Sequence, residues 1–293
     1  MSDLTNSRIG IVGAGTMGTG IAITAIRAGF ATMLADAVPA QLPVALDHVD
    51  RFLGQSVQRG KLTAVDRDAA LDRLSLAHDF ERLAECDIVI ESISEDLHAK
   101  QELFRGLGEC VPQETVYVTN TSTLSVTAIS AGAVRPDRLV GMHFCNPAPL
   151  MHLIEVVDGM LTSATTHALA LELARALGKT AVEVKDTPGF IVNRLLIPFE
   201  NACIRELEHG AATVEDIDRA VRFGLGYPMG PFQLLDTVGL DVHRAVSLSM
   251  FEQLRDPVFA PPPLVDQMIA VGHLGRKTGR GFYQYDEPGM FGA

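Results

Sequence analysis

The fold is decided by the stretch Ile9-Gly10-Ile11-Val12-Gly13-Ala14-Gly15-Thr16-Met17-Gly18. Its first four residues predict a buried strand, and the pattern that follows predicts a helix from Thr16 to Ala28 that ends at Gly29. The residues from Phe30 to Asp36 predict a second strand. A strand, a glycine-rich turn, a helix and another strand in this order indicate a βαβ unit with parallel strands.

The glycines of this stretch fit the pattern G-x-G-x-x-G, and an acidic residue ends the second predicted strand. Gly13 permits the tight turn, Gly15 lets the backbone approach a pyrophosphate, and Gly18 lets the helix pack closely on the strand. An ordinary glycine-rich turn is the alternative, but the complete strand, helix, strand and acid favour a dinucleotide-binding Rossmann fingerprint. The predicted cofactor-binding residues of this loop are Gly13, Gly15, Thr16, Met17 and Gly18.

The acidic residue, Asp36, also indicates which dinucleotide binds. Its carboxylate can accept hydrogen bonds from the adenosine ribose hydroxyls, and it would repel a 2′-phosphate. The chain has no Lys or Arg between Asp36 and Arg51 that could bind such a phosphate. The sequence therefore predicts NAD rather than NADP.

The rest of the chain predicts two domains. Further strands are predicted over 86–91, 115–120 and 139–144, with a helical excursion near 38–77. After Lys185 the strand patterns give way to helices, one of them starting at Thr187-Pro188 and ending at Gly210. The predicted fold class is α/β, with a Rossmann-type, mainly parallel sheet domain over 1–186 and an all-α domain over 187–293.

Composition excludes several kinds of partner. The net charge is −12, which gives no basic surface for a nucleic acid or an anionic membrane. No run of residues approaches the roughly 18 apolar residues of a membrane span. The four cysteines form no C-x-x-C motif, so we expect no metal site, free thiols and a reducing, cytoplasmic location.

Polar residues follow the predicted strands at the sheet edge where ligands bind. Ser122 follows one strand, His143 closes the next, and Glu155 lies in an apolar stretch where an unpaired carboxylate would be costly. A histidine paired with a carboxylate can take a hydroxyl proton while a hydride leaves to nicotinamide. His152 is a rival base, and a structural role for either histidine remains the alternative.

Other polar residues also have simpler structural explanations. Ser122 could cap the helix that begins near Val126, and Lys100 could pair with Asp96 four residues earlier. Asn193 could hydrogen-bond only the backbone of its helix. Spacing alone leaves these alternatives open.

The chain resembles the L-3-hydroxyacyl-CoA dehydrogenase family, and within it the compact bacterial 3-hydroxybutyryl-CoA dehydrogenase branch. The resemblance covers nearly the whole chain. The motifs that carry it are Ile11 to Gly18, Asn120 to Leu124, Gly141 to Val156, Lys185 to Arg194, Gly226 to Phe232 and Lys277 to Tyr283.

The resemblance implies roles for individual residues. His143, rather than His152, matches the catalytic base, and Glu155 matches its acidic partner. Ser122 and Asn193 match the residues that hydrogen-bond the substrate, Ser122 also lying near the nicotinamide. The further positions that match cofactor contacts are Asp36, Glu95, Lys100, Asn146 and Lys277. Lys61 and Arg59 fall in the segment where the family binds the CoA phosphates.

The family implies a reaction and an assembly. We expect the NAD-dependent, reversible oxidation of an (S)-3-hydroxyacyl-CoA, of short chain, to the 3-oxoacyl-CoA. An acyl-CoA cleft between the domains and a homodimer built by the helical domain are also implied. The alternatives are the same chemistry on an acyl-carrier-protein thioester, a sugar-acid dehydrogenase, and a non-catalytic NAD-binding protein.

Overall fold

A computed structural model describes residues 4–286 of the chain. The fold divides into two compact units, Met1–Asp186 and Thr187–Ala293. The first unit is built on a sheet, whereas the second is helical. No helix among residues 4–286 combines the length and the apolar character needed to cross a membrane.

The first unit contains one sheet of eight strands in the order β3-β2-β1-β4-β5-β6-β7-β8. Neighbouring strands are parallel except β6 and β7, which are antiparallel. The strands are β1 (Arg8–Val12), β2 (Ala31–Ala35), β3 (Leu74–Ala77), β4 (Ile88–Glu91), β5 (Val116–Thr119), β6 (Leu139–Phe144), β7 (Leu153–Asp158) and β8 (Thr180–Lys185).

Helices connect these strands and bury them. Helix α1 packs on β1 and β2, and α6 packs on β6, β7 and β8. Every residue of β4, β5 and β6 is buried, as expected for strands covered on both faces. The helices of this unit are α1 (Thr16–Arg27), α2 (Gln41–Gln58), α3 (Ala64–Leu71), α4 (Leu97–Cys110), α5 (Val126–Ser130) and α6 (Ala164–Ala176).

The predicted mainly parallel sheet followed by a helical domain is confirmed, but the segment 38–77 is not helical throughout. Its last residues form β3, which pairs with β2 in parallel at the sheet edge. This strand is short and mostly half-buried, so it carries no continuous apolar run. The sequence analysis also did not predict β8, whose residues are half-buried or exposed, nor α6.

The second unit contains five helices among its described residues. They are α7 (Val192–Glu208), α8 (Val214–Gly224), α9 (Pro231–Val238), α10 (Leu240–Leu254) and α11 (Pro263–Ala270). Their shared core is formed by Cys203, Ile204, Phe232, Leu235, Leu240 and Val265.

The predicted start of the first of these helices is wrong, and its end is right. Helix α7 begins at Val192 rather than at Pro188, because Gly189 and Phe190 have φ of +74° and +48° and interrupt the helical backbone. It ends at Glu208, and Gly210 has the left-handed backbone of a helix stop. Its buried face does not include Leu195, which is 70% exposed.

Candidate active site

The glycine loop between β1 and α1 has the geometry of a dinucleotide cradle. A Cβ at Gly18 would lie 1.8 Å from the Gly13 carbonyl oxygen, so only glycine lets the helix approach the strand. Gly13 has a φ of +105°, which disfavours any side chain there. A Cβ at Gly15 would meet nothing within 4 Å. The backbone beside Gly15, at the N-terminus of α1, is therefore open to a pyrophosphate.

Asp36 lies just beyond β2 and fixes the shape of this cradle. Its Oδ2 accepts a hydrogen bond from the Ala14 amide at 2.7 Å, and its Oδ1 accepts one from the Val38 amide at 2.7 Å. Each carboxylate oxygen retains a second lone pair for a ribose hydroxyl. Asp36, Gly13 and Gly15 line a cavity of about 630 Å³. These residues fit the adenosine and pyrophosphate parts of NAD.

A buried ion-pair cluster lies beside this cavity, at the ends of β4 and β5. The Lys100 side chain is 1% exposed, and its Nζ lies 2.5 Å from Glu91 Oε1 and 3.3 Å from Glu95 Oε2. Glu91 also accepts a hydrogen bond from the Thr119 hydroxyl at 2.6 Å. The alternative pairing of Lys100 with Asp96 is wrong, because the Asp96 carboxylate instead accepts from the Ala99 amide and caps α4.

The two carboxylates of this cluster differ in acidity. Burial raises the pKa of Glu91 above its ordinary value, although Lys100 and the Thr119 hydroxyl act in the opposite direction. Burial would also raise the pKa of Glu95, but Lys100 and hydrogen bonds from Thr121 and the loop amides outweigh it and lower that pKa. The surroundings therefore favour the charged form of Glu95 more than that of Glu91.

The loop after β5 carries Ser122 and is held close to β6. The Ser122 amide and hydroxyl lie 2.8 and 3.2 Å from Glu95 Oε1. The side chain of Asn120 accepts a hydrogen bond from the Phe144 amide at 2.9 Å, which ties this loop to the end of β6. Ser122 is not the cap of α5; that residue is Ser125, whose hydroxyl accepts from the Ala128 amide.

His143 and Glu155 form a buried pair across two strands. They are directly opposite each other in the antiparallel register of β6 and β7, and His143 Nδ1 lies 2.7 Å from Glu155 Oε2. Glu155 is fully buried and the His143 side chain is 10% exposed. A carboxylate at Nδ1 fixes the tautomer and stabilises the imidazolium, which suits the imidazole to act as a general base. His152, by contrast, is exposed.

The remaining predicted site residues lie in four other segments of the chain. Asn146 is exposed in the turn after β6, and Arg59 and Lys61 are exposed just beyond α2. In the second unit, Asn193 lies half-buried in the first turn of α7. Lys277 lies 2.5 and 2.6 Å from the two carboxylate oxygens of Asp241. The substrate and cofactor contacts expected of these residues stay predictions.

Sequence reasoning missed Glu91, although a signal was present. Glu91 ends the buried strand Ile88-Val89-Ile90-Glu91, where an ionisable side chain needs a partner. No rule of local spacing identifies Lys100 as that partner, because the two residues are joined through the loop between β4 and α4.

Comparisons with known proteins agree with this geometry. The model of the family described as 3-hydroxyacyl-CoA dehydrogenase, NAD binding domain, matches residues 8–187, and that of the C-terminal domain matches residues 189–285. The chain is 40% identical over 280 residues to the probable 3-hydroxybutyryl-CoA dehydrogenase of Bacillus subtilis, covering 96% of this chain and 98% of the relative.

Solved structures give the same result. The crystal structure of FadB2 from Mycobacterium tuberculosis superimposes with a TM-score of 0.93 at 40% identity, covering 96% of this chain and 99% of that one. The (S)-3-hydroxybutyryl-CoA dehydrogenase from Ralstonia eutropha gives a TM-score of 0.88 at 38% identity, covering 96% and 100%. With its NAD-binding cradle, its paired histidine and glutamate, and both family domains in order, the chain belongs to the 3-hydroxyacyl-CoA dehydrogenase family.

Proposed function

We propose that the protein catalyses the reversible, NAD-dependent oxidation of an (S)-3-hydroxyacyl-CoA to the 3-oxoacyl-CoA, with 3-hydroxybutyryl-CoA as the preferred substrate. The observation that carries this proposal is the buried His143–Glu155 pair, whose nitrogen and oxygen atoms are 2.7 Å apart. The family domains and the relatives named 3-hydroxybutyryl-CoA dehydrogenase support the choice of substrate.

The proton transfer follows from the orientation of the imidazole. Glu155 accepts from Nδ1–H of His143, so the basic lone pair of the neutral ring is on Nε2. Nε2 takes the proton of the substrate 3-hydroxyl, and Glu155 stabilises the imidazolium that forms. NAD, which the glycine loop and Asp36 would hold, would supply the acceptor for the hydride that leaves C3 as the ketone forms. In the reverse direction His143 returns the proton to the forming hydroxyl.

Two further side chains position the substrate in this proposal. Ser122 lies in a loop fixed to the end of β6, the strand of His143, and its hydroxyl binds the substrate oxygen. Asn193, in the first turn of α7, contributes an amide to the substrate. Arg59 and Lys61 are exposed cations in an acidic chain, and they bind the CoA phosphates. The cofactor contacts assigned to Glu95, Lys100, Asn146 and Lys277 belong to this proposal as well.

The proposed assembly is a homodimer formed by the helical unit, acting in the cytoplasm. Large apolar side chains are exposed on α7 and at the end of α8, two helices that pack together. These residues are Ile191, Leu195, Phe223 and Leu225. We expect these side chains to lie in one apolar patch, and such a patch is typical of a subunit interface. The four cysteines are free thiols, which supports a reducing compartment.

A substrate panel tests the proposed function. NADH oxidation is followed with acetoacetyl-CoA, with longer 3-oxoacyl-CoAs and with the corresponding acyl-carrier-protein thioesters. We expect the highest kcat/KM for acetoacetyl-CoA. A clear preference for carrier-protein thioesters would show that the substrate is linked to an acyl carrier protein rather than to CoA. Tight NADH binding with no turnover of any thioester would contradict the enzymatic proposal in favour of a binding protein.

A further inference from the structure

One oxygen atom of Glu95 holds most of the loop that carries Ser122. Glu95 Oε1 lies 2.7 Å from the Thr121 hydroxyl, 2.8 Å from the Ser122 amide and 3.0 Å from the Thr123 amide. The hydroxyls of Ser122 and Thr123 lie 3.2 and 3.4 Å from the same atom. Such a convergence of donors on one acceptor indicates an ionised carboxylate used as an anchor for the loop.

The second carboxylate oxygen of Glu95 is also held in place. Its Oε2 lies 3.3 Å from Lys100 Nζ, and that ammonium group lies 2.5 Å from Glu91. Glu91 is itself held by the Thr119 hydroxyl at 2.6 Å and by the Ile93 amide at 2.8 Å. A rigid chain of contacts therefore runs from the end of β5 through the buried ion pairs to the Ser122 loop.

We propose that Glu95 is a positioning residue, which sets the place of the Ser122 hydroxyl by accepting hydrogen bonds from the loop. This inference rests on the proposed function, in which Ser122 binds the substrate oxygen. It gives Glu95 and Lys100 a task in addition to their proposed cofactor contacts. It also explains why Lys100, a cation at 1% exposure, lies between two carboxylates.

Two substitutions separate positioning from a purely electrostatic effect. Glu95→Gln removes the charge but keeps an acceptor oxygen at the same reach. The new NH2 group takes the place of the oxygen that faces Lys100, so Lys100 loses this contact and keeps the shorter one to Glu91. Glu95→Asp keeps the charge but shortens the side chain by one carbon–carbon bond, about 1.5 Å. It therefore withdraws the acceptor from the loop amides.

The experiment measures kcat, both KM values and hydrogen–deuterium exchange of the amides of residues 121–124. Glu95→Asp should lose about tenfold to a hundredfold in kcat, the worth of one charge-assisted hydrogen bond, and Glu95→Gln, which keeps an acceptor for the loop amides, should lose less. The KM for NAD reports the proposed cofactor contact of Glu95 separately from kcat. Exchange at Ser122 and Thr123 should accelerate in Glu95→Asp and stay slow in Glu95→Gln. Glu109→Asp, at an exposed position in the last turn of α4, is the matched control.

A double-mutant cycle with Ser122→Ala completes the test. If Glu95 acts through Ser122, adding Glu95→Asp to the Ser122→Ala variant should lower kcat by less than about a further threefold, because the two changes remove the same interaction. Multiplicative losses, or a Glu95→Gln variant as impaired as Glu95→Asp, would overturn the inference. A wild-type protein that turns over no thioester would instead overturn the proposed function. The two failures are distinguishable because amide exchange needs no substrate.

Discussion

Removing the His143–Glu155 pair one member at a time should show that the two side chains act as a unit. His143→Gln removes the base, and general-base assistance contributes about 10²–10⁴ to the rate, so kcat should fall by about that factor. Glu155→Gln replaces the charge-assisted contact of 2.7 Å by a neutral one. The difference between the two kinds of hydrogen bond is about 1–2 kcal/mol, which predicts a loss of about five- to thirtyfold.

The double variant distinguishes a unit from two independent groups. Because Glu155 acts only through the imidazole, His143→Gln/Glu155→Gln should be little slower than His143→Gln alone. The assay is steady-state NADH oxidation with acetoacetyl-CoA, with NADH binding measured by fluorescence to show that the cofactor cradle is intact. His152→Gln, which changes an exposed imidazole, should retain most activity. Near-full activity of His143→Gln, or losses that multiply in the double variant, would refute the pair.

Four further predictions concern the two binding sites and one thiol. Wild type should prefer NAD over NADP at least about tenfold in kcat/KM, about 1.4 kcal/mol, and Asp36→Ala should narrow that gap; equal values in the wild type would contradict the assignment of Asp36. Gly18→Ala should lower the free energy of unfolding by about 1–3 kcal/mol, because the new Cβ would meet the Gly13 carbonyl oxygen. The variant should also lose NADH binding, measured by fluorescence. A urea denaturation midpoint equal to that of wild type would disprove the close approach. Lys61→Glu should raise KM for CoA thioesters and leave KM for NAD unchanged, and equal thioester KM values would place the CoA phosphates elsewhere. Burial, and then the charge of Glu155, raise the pKa of Cys145 to about 11, so at about pH 8 only about one Cys145 side chain in a thousand is the reactive thiolate. Iodoacetamide should therefore modify Cys145 slowly at that pH and faster as the pH rises. Rapid labelling near neutral pH would contradict this prediction.

Local sequence patterns were sufficient to predict the cofactor-binding part of the first unit. The strand of Ile9, the glycine loop, α1 and the acid at Asp36 occur in sequence order, so each can be identified from its neighbours. The close approach of Gly18 to Gly13, with a Cβ-to-oxygen distance of 1.8 Å, is the physical reason for the spacing of the glycines. Residues whose contacts are made with neighbouring segments of the chain can therefore be predicted from the sequence.

Contacts between strands of the sheet were harder to predict from the sequence. The pairing of His143 with Glu155 depends on β7 running antiparallel to β6, a direction that composition does not reveal. Helical spacing offered Asp96 as an alternative partner for Lys100, yet Lys100 pairs with Glu91, because the fully desolvated carboxylate of Glu91 needs a cation. The alternative that Ser122 caps α5 could not be decided from the sequence, since Ser122 and Ser125 are equally suited to capping and only the backbone shows that Ser125 is the cap.

The reaction is tested most directly by incubating the purified protein with NAD and (S)-3-hydroxybutyryl-CoA while NADH absorbance is recorded and the acyl product is identified by mass spectrometry. We expect NADH and acetoacetyl-CoA to form in equal amounts, a far slower reaction with the (R) enantiomer, and a rate lowered about 10²–10⁴-fold in His143→Gln. Absence of NADH formation from wild type under conditions where NAD is shown to bind would contradict the proposed dehydrogenase activity.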